Sequence, residues 1–101
     1  MERSLIIYTH NSEKYIGKLL KSIMDQIDET KEQLIIVDDL STDNTIPIIV
    51  QIIGYFFTDE EHYKLYINTK EKGKHDSIEM ARELAQGKHK FVIQKKKAIK
   101  L

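Results

Sequence analysis

Two adjacent carboxylates, Asp38 and Asp39, end one apolar run, and an earlier apolar run ends in Thr9-His10-Asn11. Crowding two negative charges at one point of a chain is costly unless cations, backbone donors or a ligand compensate. In the plainer arrangement one aspartate holds a local turn and the other is solvated. In an open parallel sheet, ligands bind just outside the carboxyl ends of the strands, so the polar residues that follow apolar runs are the first candidates for chemistry. Here those residues are Thr9-His10-Asn11, Asp38-Asp39 and Asn68.

Other chemistries find little support. His10, His62, His75 and His89 are scattered, without the close helical spacing of a zinc site. Gly17, Gly54, Gly73 and Gly87 are isolated and form neither a Walker loop nor a dinucleotide fingerprint, which weakens kinase and dehydrogenase readings. No serine sits in a Gly-x-Ser-x-Gly elbow, and the absence of cysteine removes thiolate metal sites and disulfides. The patch Tyr55-Phe56-Phe57 reads as core or interface.

Periodicity gives the elements that must position these residues. Leu5-Ile6-Ile7-Tyr8 and Leu34-Ile35-Ile36-Val37 predict strands buried on both faces. Between them Tyr15, Ile16, Leu19, Leu20, Ile23 and Met24 recur at three- and four-residue spacing, predicting a helix capped at Asn11 or Ser12. A second helix is predicted from near Thr45, with Pro47 in its first turn and Gly54 as its stop, although the β-branched stretch 46 to 53 also suits a strand. Residues 64 to 68 predict a third strand and Phe91-Val92-Ile93 a fourth. Between these, residues 76 to 86 predict a third helix with Ile78, Ala81, Leu84 and Ala85 inward and Gly87 as its stop. The alternation predicts an α/β fold: an open, mostly parallel sheet of about four strands with helices on both faces.

The stretch Thr9-His10-Asn11-Ser12-Glu13-Lys14-Tyr15, then Gln26, then Ile36-Val37-Asp38-Asp39-Leu40-Ser41-Thr42-Asp43-Asn44-Thr45, in this order and separation, resembles the start of family 2 glycosyltransferases. The resemblance covers roughly residues 4 to 93 and is looser in its second half: Ala85-Gln86-Gly87 keeps the family's helix ending, whereas Ile78, Glu79 and Ala81 replace its arginine, asparagine and glycine. It implies a partial GT-A, Rossmann-like fold in which residues 1–93 form the nucleotide-sugar-binding half. It also implies transfer of a sugar from a nucleotide-diphosphate donor of UDP type. By resemblance Tyr8, Thr9, His10, Asn11, Asp38 and Asp39 are the nucleotide-binding residues. Asp39 would accept a hydrogen bond from the base, typically uracil N3–H, while Asp38 orients the loop. Tyr8 stands where the family has proline or a small residue, so its ring either stacks on the base or blocks it.

One departure bears on the cofactor. The family places an Asp-x-Asp motif after the strand corresponding to residues 90–93, where it holds Mg or Mn on the donor's diphosphate; here Gln94-Lys95-Lys96 stands there, followed by Lys97. Hard cations need carboxylate oxygens and ammonium groups repel them, so the expected ligands are missing. No metal ligand and no catalytic residue is assigned, because the family's acceptor-side base would lie beyond Leu101. The expectation is a truncated, inactive domain or pseudoenzyme. The alternative is a non-catalytic binding or interaction module of this fold, self-associating through an exposed sheet edge. The lysines either form a solvated tail or neutralise the diphosphate in the metal's place.

Charge distribution marks the same boundary. The chain has 101 residues and a formal net charge of zero, yet residues 1 to 87 hold 10 basic and 16 acidic side chains, and residues 88 to 101 hold six lysines and no acid. Residues 94–101 are therefore set apart as a Lys-rich tail, the kind of ending that a reading-frame slip in an adenine-rich tract would leave. The balanced total gives no pull toward nucleic acid, and no apolar run approaches the roughly 18–20 residues needed to span a bilayer. The expectation is a cytoplasmic protein whose partner is a nucleotide sugar, without nucleic acid or stable membrane insertion.

Overall fold

Apolar side chains on both faces make β1 (Arg3–Thr9) and β2 (Glu32–Asp38) the two central strands, flanked by β3 (Tyr63–Ile67) beside β2 and β4 (His89–Ile93) beside β1. This computed structural model describes residues 1–54, 59 and 61–101, so the Tyr55-Phe56-Phe57 patch lies outside the described residues. All three strand pairings are parallel, in the order β3-β2-β1-β4. The register sets Thr9 opposite Asp38, and Asp38 opposite Ile67, so three strands end level with one another.

The two sheet faces are covered by different helices. Leu5, Ile7, Leu34 and Ile36 pack under α1 (Ile16–Met24) and α2 (Thr45–Ile53), whose Ile16, Leu19, Leu20, Ile23, Ile49 and Ile53 are fully buried. Each such side chain contributes about 1.5–3 kcal/mol of transfer free energy. Ile6, Ile35 and Val37 face the other way, against Ala81 and Ala85 at α3 (Lys74–Leu84). The fold is thus an α/β open parallel sheet with helices on both faces. The isoleucine-rich stretch 45–53 is helical, because Ile49 and Ile53, four apart, both enter the core beside α1.

Local details differ from the sequence expectation at three points. Neither Asn11 nor Ser12 caps α1 with its side chain: the helix begins at Ile16, the Ser12 carbonyl accepts from the Tyr15 and Ile16 N–H groups, and the Asn11 amide is turned toward Thr42. On α3 the inward residues are Ser77, Ala81 and Ala85, whereas Leu84, in the last turn before the chain becomes extended at Ala85, is 41% exposed. Ser77 can be buried because its hydroxyl accepts a hydrogen bond from Asn68. Finally, Gly87 is not the helix stop. A Cβ there would lie 2.5 Å from the Arg3 carbonyl carbon and the Ser4 nitrogen, so glycine is required by the close approach of the backbone to β1. Its N–H donates to Ser4 Oγ, which donates to Gln33 Oε1, closing a buried clamp at the amino end of the sheet.

The chain after β4 is laid back over α1. The Ile99 N–H donates to Ser22 Oγ (3.0 Å), its carbonyl accepts from Gln26 Nε2 (2.8 Å), and the Leu101 N–H donates to Gln26 Oε1 (2.8 Å). The Ile99 side chain packs against the α1–α2 core.

Candidate functional site

The β1–α1 corner and the β2–α2 corner meet at the carboxyl edge of the sheet and are stitched together by side chains. The Asn11 amide oxygen accepts from the Thr42 N–H (2.8 Å) and the Asp43 N–H (3.3 Å), while the Asn11 N–H donates to Ser41 Oγ (2.9 Å). The Ser12 N–H donates to Thr45 Oγ1 (2.7 Å). These bonds hold two left-handed residues in place, Asn11 at φ 49° and Leu40 at φ 54°, the second an unusual conformation for a bulky side chain.

The two aspartates have different surroundings. Asp38, fully buried, accepts from Thr9 Oγ1 (2.7 Å), the Ser41 N–H (2.8 Å) and Ser41 Oγ (2.6 Å), and so fixes the loop that follows it. Asp39 accepts from four donors: Asn68 Nδ2 (3.0 Å) and the Lys72 N–H (2.9 Å) on Oδ1, and Tyr8 Oη (3.0 Å) and the Gly73 N–H (2.9 Å) on Oδ2. Burial by itself would raise the Asp39 pKa, but bonds from Asn68, Lys72, Gly73 and Tyr8 outweigh it and bring it down to about 2. Burial and the bond to Asp39 push the Tyr8 phenol up to about 12. The repulsion that makes an Asp-Asp pair costly is thus relieved by backbone and side-chain donors.

His10 lies across the same corner, with Nδ1 2.7 Å from the Asp39 carbonyl oxygen, so that nitrogen carries the proton. Next to Tyr8 and His10 a cavity of about 190 Å³ opens between the ends of β1 and β4, with Ser12, Tyr15, Ile78, Lys74, Gln94, Lys95 and Lys96 also on its wall. All six sequence-derived site residues therefore converge on one edge: Tyr8 and His10 line the cavity, while Thr9, Asn11, Asp38 and Asp39 build the corner behind them.

Sequence reasoning missed Lys72, Ser77, Tyr15 and Lys74. In the sequence Gly73 marks only a turn; in the structure its φ is 87° and its N–H donates to Asp39 Oδ2.

The residues at the position of a metal motif do not fit a divalent cation. Gln94, Lys95 and Lys96 follow β4 and supply one amide oxygen and two ammonium groups. Among the described residues no group of three or more His, Asp or Glu side chains is placed to hold a metal ion. No described helix is long and apolar enough to cross a membrane.

Residues 4–93 match the profile of the family described as "Glycosyl transferase family 2". Over 50 residues, 48% of this chain and 9% of the relative, the sequence is 46% identical to poly(ribitol-phosphate) beta-N-acetylglucosaminyltransferase TarS of Staphylococcus aureus. The structure superposes on residues 1–349 of S. aureus TarS in complex with UDP with a TM-score of 0.75 and 28% identity, over 92% of this chain and 27% of that one. For the complex with UDP-GlcNAc the TM-score is 0.76 at the same identity, over 92% and 26%. A likeness of fold extends to the mannosyltransferase PcManGT of Pyrobaculum calidifontis in complex with GDP-Man and Mn2+ (TM-score 0.68, 23% identity, 84% of this chain and 24% of that one). The chain thus spans about a quarter of the length of the TarS fragment it matches.

Proposed function

The chain belongs to glycosyl transferase family 2, and from that premise we propose that it binds the nucleotide of a UDP-type sugar donor at the carboxyl edge of its sheet. The observation that carries this reading is the convergence of the Tyr8–Asn11 and Asp38–Asp39 corners beside one cavity. Two TarS structures similar to this chain over 92% of its length hold UDP and UDP-GlcNAc, which supports uridine as the base. In this reading Asp39 accepts the imide N–H of uracil. Its four acceptor positions are filled in the free chain, so one donor has to leave. Tyr8 is that donor, because it alone of the four lines the cavity.

Donor binding, rather than complete transfer, is the activity assigned to these residues. Transfer also needs a base for the acceptor hydroxyl, and among the described residues no carboxylate lines the cavity. The cytoplasmic placement expected from sequence belongs to the same reading. Isothermal calorimetry with UDP tests it: saturable binding that Asp39→Ala abolishes is expected, and silence at millimolar UDP with an intact circular dichroism spectrum overturns it.

A second reading, self-association, rests on β4. Among the described residues this strand is paired only with β1, and Phe91 on it is 48% exposed. Light scattering separates the readings, since an oligomer insensitive to nucleotide favours the second.

A further inference from the structure

Among the described residues the cavity beside the aspartate corner is lined by three lysines and by no carboxylate, the nearby Glu71 carboxylate standing 3.8 Å from His10 Nε2 without forming part of the wall. Lys74 comes from the first turn of α3, and Lys95 and Lys96 come from the turn after β4, so two separate stretches deliver cations to one concavity. They are placed rather than loose. Lys74 Nζ donates to Gln94 Oε1 (2.9 Å), Lys96 Nζ sits 6.0 Å over the Tyr15 ring, and the segment carrying Lys95 and Lys96 is anchored downstream by Ile99 on Ser22 and Gln26. Like charges gathered at a concave wall repel one another and focus a positive potential there, both of which an entering anion relieves. A divalent cation would meet the opposite, a wall with ammonium groups where it needs carboxylates.

We propose that Lys74, Lys95 and Lys96 bind the diphosphate of the donor directly, supplying the charge neutralisation for which a divalent cation would otherwise be needed. The inference rests on the donor-site reading for the identity of the whole ligand, but the anion cradle is testable alone. Lysine acts here as a point charge toward phosphate oxygens, with nitrogen-to-oxygen distances of about 2.7–2.9 Å expected in the complex.

Calorimetric titration of the full chain with sodium pyrophosphate in EDTA is the test. Saturable binding is expected without any divalent ion, weakening as salt rises, and falling by about tenfold or more in Lys74→Gln/Lys95→Gln/Lys96→Gln. A charge-matched control, Lys21→Gln/Lys31→Gln/Lys88→Gln, should bind as the parent does. Binding only after Mg²⁺ or Mn²⁺ is added, or equal loss in both triple variants, overturns the proposal. Uridine titrated separately reports on the Asp39 corner. Pyrophosphate binding with uridine silent sinks the nucleoside reading and leaves the lysine cradle standing, whereas uridine binding with UDP no tighter in EDTA does the reverse.

Discussion

The Tyr8 hydroxyl donates to Asp39 Oδ2 at 3.0 Å, closing the cavity side of the carboxylate in the free chain. Hydrogen bonds to charged groups contribute about 1.5–3 kcal/mol, so Tyr8→Phe should lower unfolding stability by an amount of that order. The same change leaves one acceptor lone pair vacant. Calorimetry should therefore show uridine binding severalfold more tightly to Tyr8→Phe, and weaker binding would mean that the Tyr8 hydroxyl itself contacts the ligand.

The pH dependence follows from the same pair. Asp39 has its pKa depressed in the fold to about 2, so the stability it contributes is present above the ordinary aspartate range and is lost as pH falls from about 4 toward 2. Tyr8 is raised to about 12, so its contribution is present below about 10 and is lost as pH rises toward 12. Urea unfolding from pH 5 to pH 2 should show a stability loss that is smaller in Asp39→Asn, where Asp28, Asp43 and Asp59, also held below the usual carboxylate range by their hydrogen bonds, still contribute. Ultraviolet titration of the phenols should show a component near 12 that disappears in Tyr8→Phe.

Asn68 ties Asp39 to Ser77 through one amide nitrogen, at 3.0 and 2.9 Å. Asn68→Asp keeps the shape but sets a second carboxylate against Asp39 Oδ1. At pH 7 this should destabilise the chain by roughly 2–4 kcal/mol, the cost of an unpaired buried charge, and the deficit should shrink as pH falls and one carboxyl takes a proton. Thermal melts at pH 7 and pH 4 measure both effects.

Gly87→Ala would press a methyl group to within 2.5 Å of β1 backbone atoms, where no flexible side chain can yield. A loss of about 1–3 kcal/mol or more is expected from the forced separation, together with weakening of the Gly87–Ser4–Gln33 clamp. Equilibrium denaturation checks it, and an unchanged midpoint would contradict the close approach.

Gln26 holds the final segment at two points, through Nε2 to the Ile99 carbonyl and Oε1 to the Leu101 N–H. Gln26→Ala should release that segment and speed tryptic cleavage at Lys95–Lys97 severalfold, while cleavage elsewhere stays constant. Mass spectrometry of timed digests reads the difference.

What the sequence determined by itself is local or periodic. The apolar runs at Leu5–Tyr8 and Leu34–Val37, short and rich in β-branched residues, match strands buried on both faces, and the three-and-four spacing through Ile16 and Ile23 matches one buried helical face, so the alternation of elements and a parallel sheet are predicted from them. Asp38-Asp39 and Thr9-His10-Asn11 were visible as candidates because polar residues that end buried strands must lie at the carboxyl edge. Tertiary structure alone decided which donors reach those carboxylates, because Lys72, Gly73 and Asn68 are more than twenty-five residues from Asp39 and carry no local signal of its presence. It alone turned Gly87 from an apparent helix stop into a contact with β1. It also brought Lys74, in the first turn of α3, to the same cavity wall as Lys95 and Lys96 after β4, a meeting of two stretches about twenty residues apart that no local pattern announces.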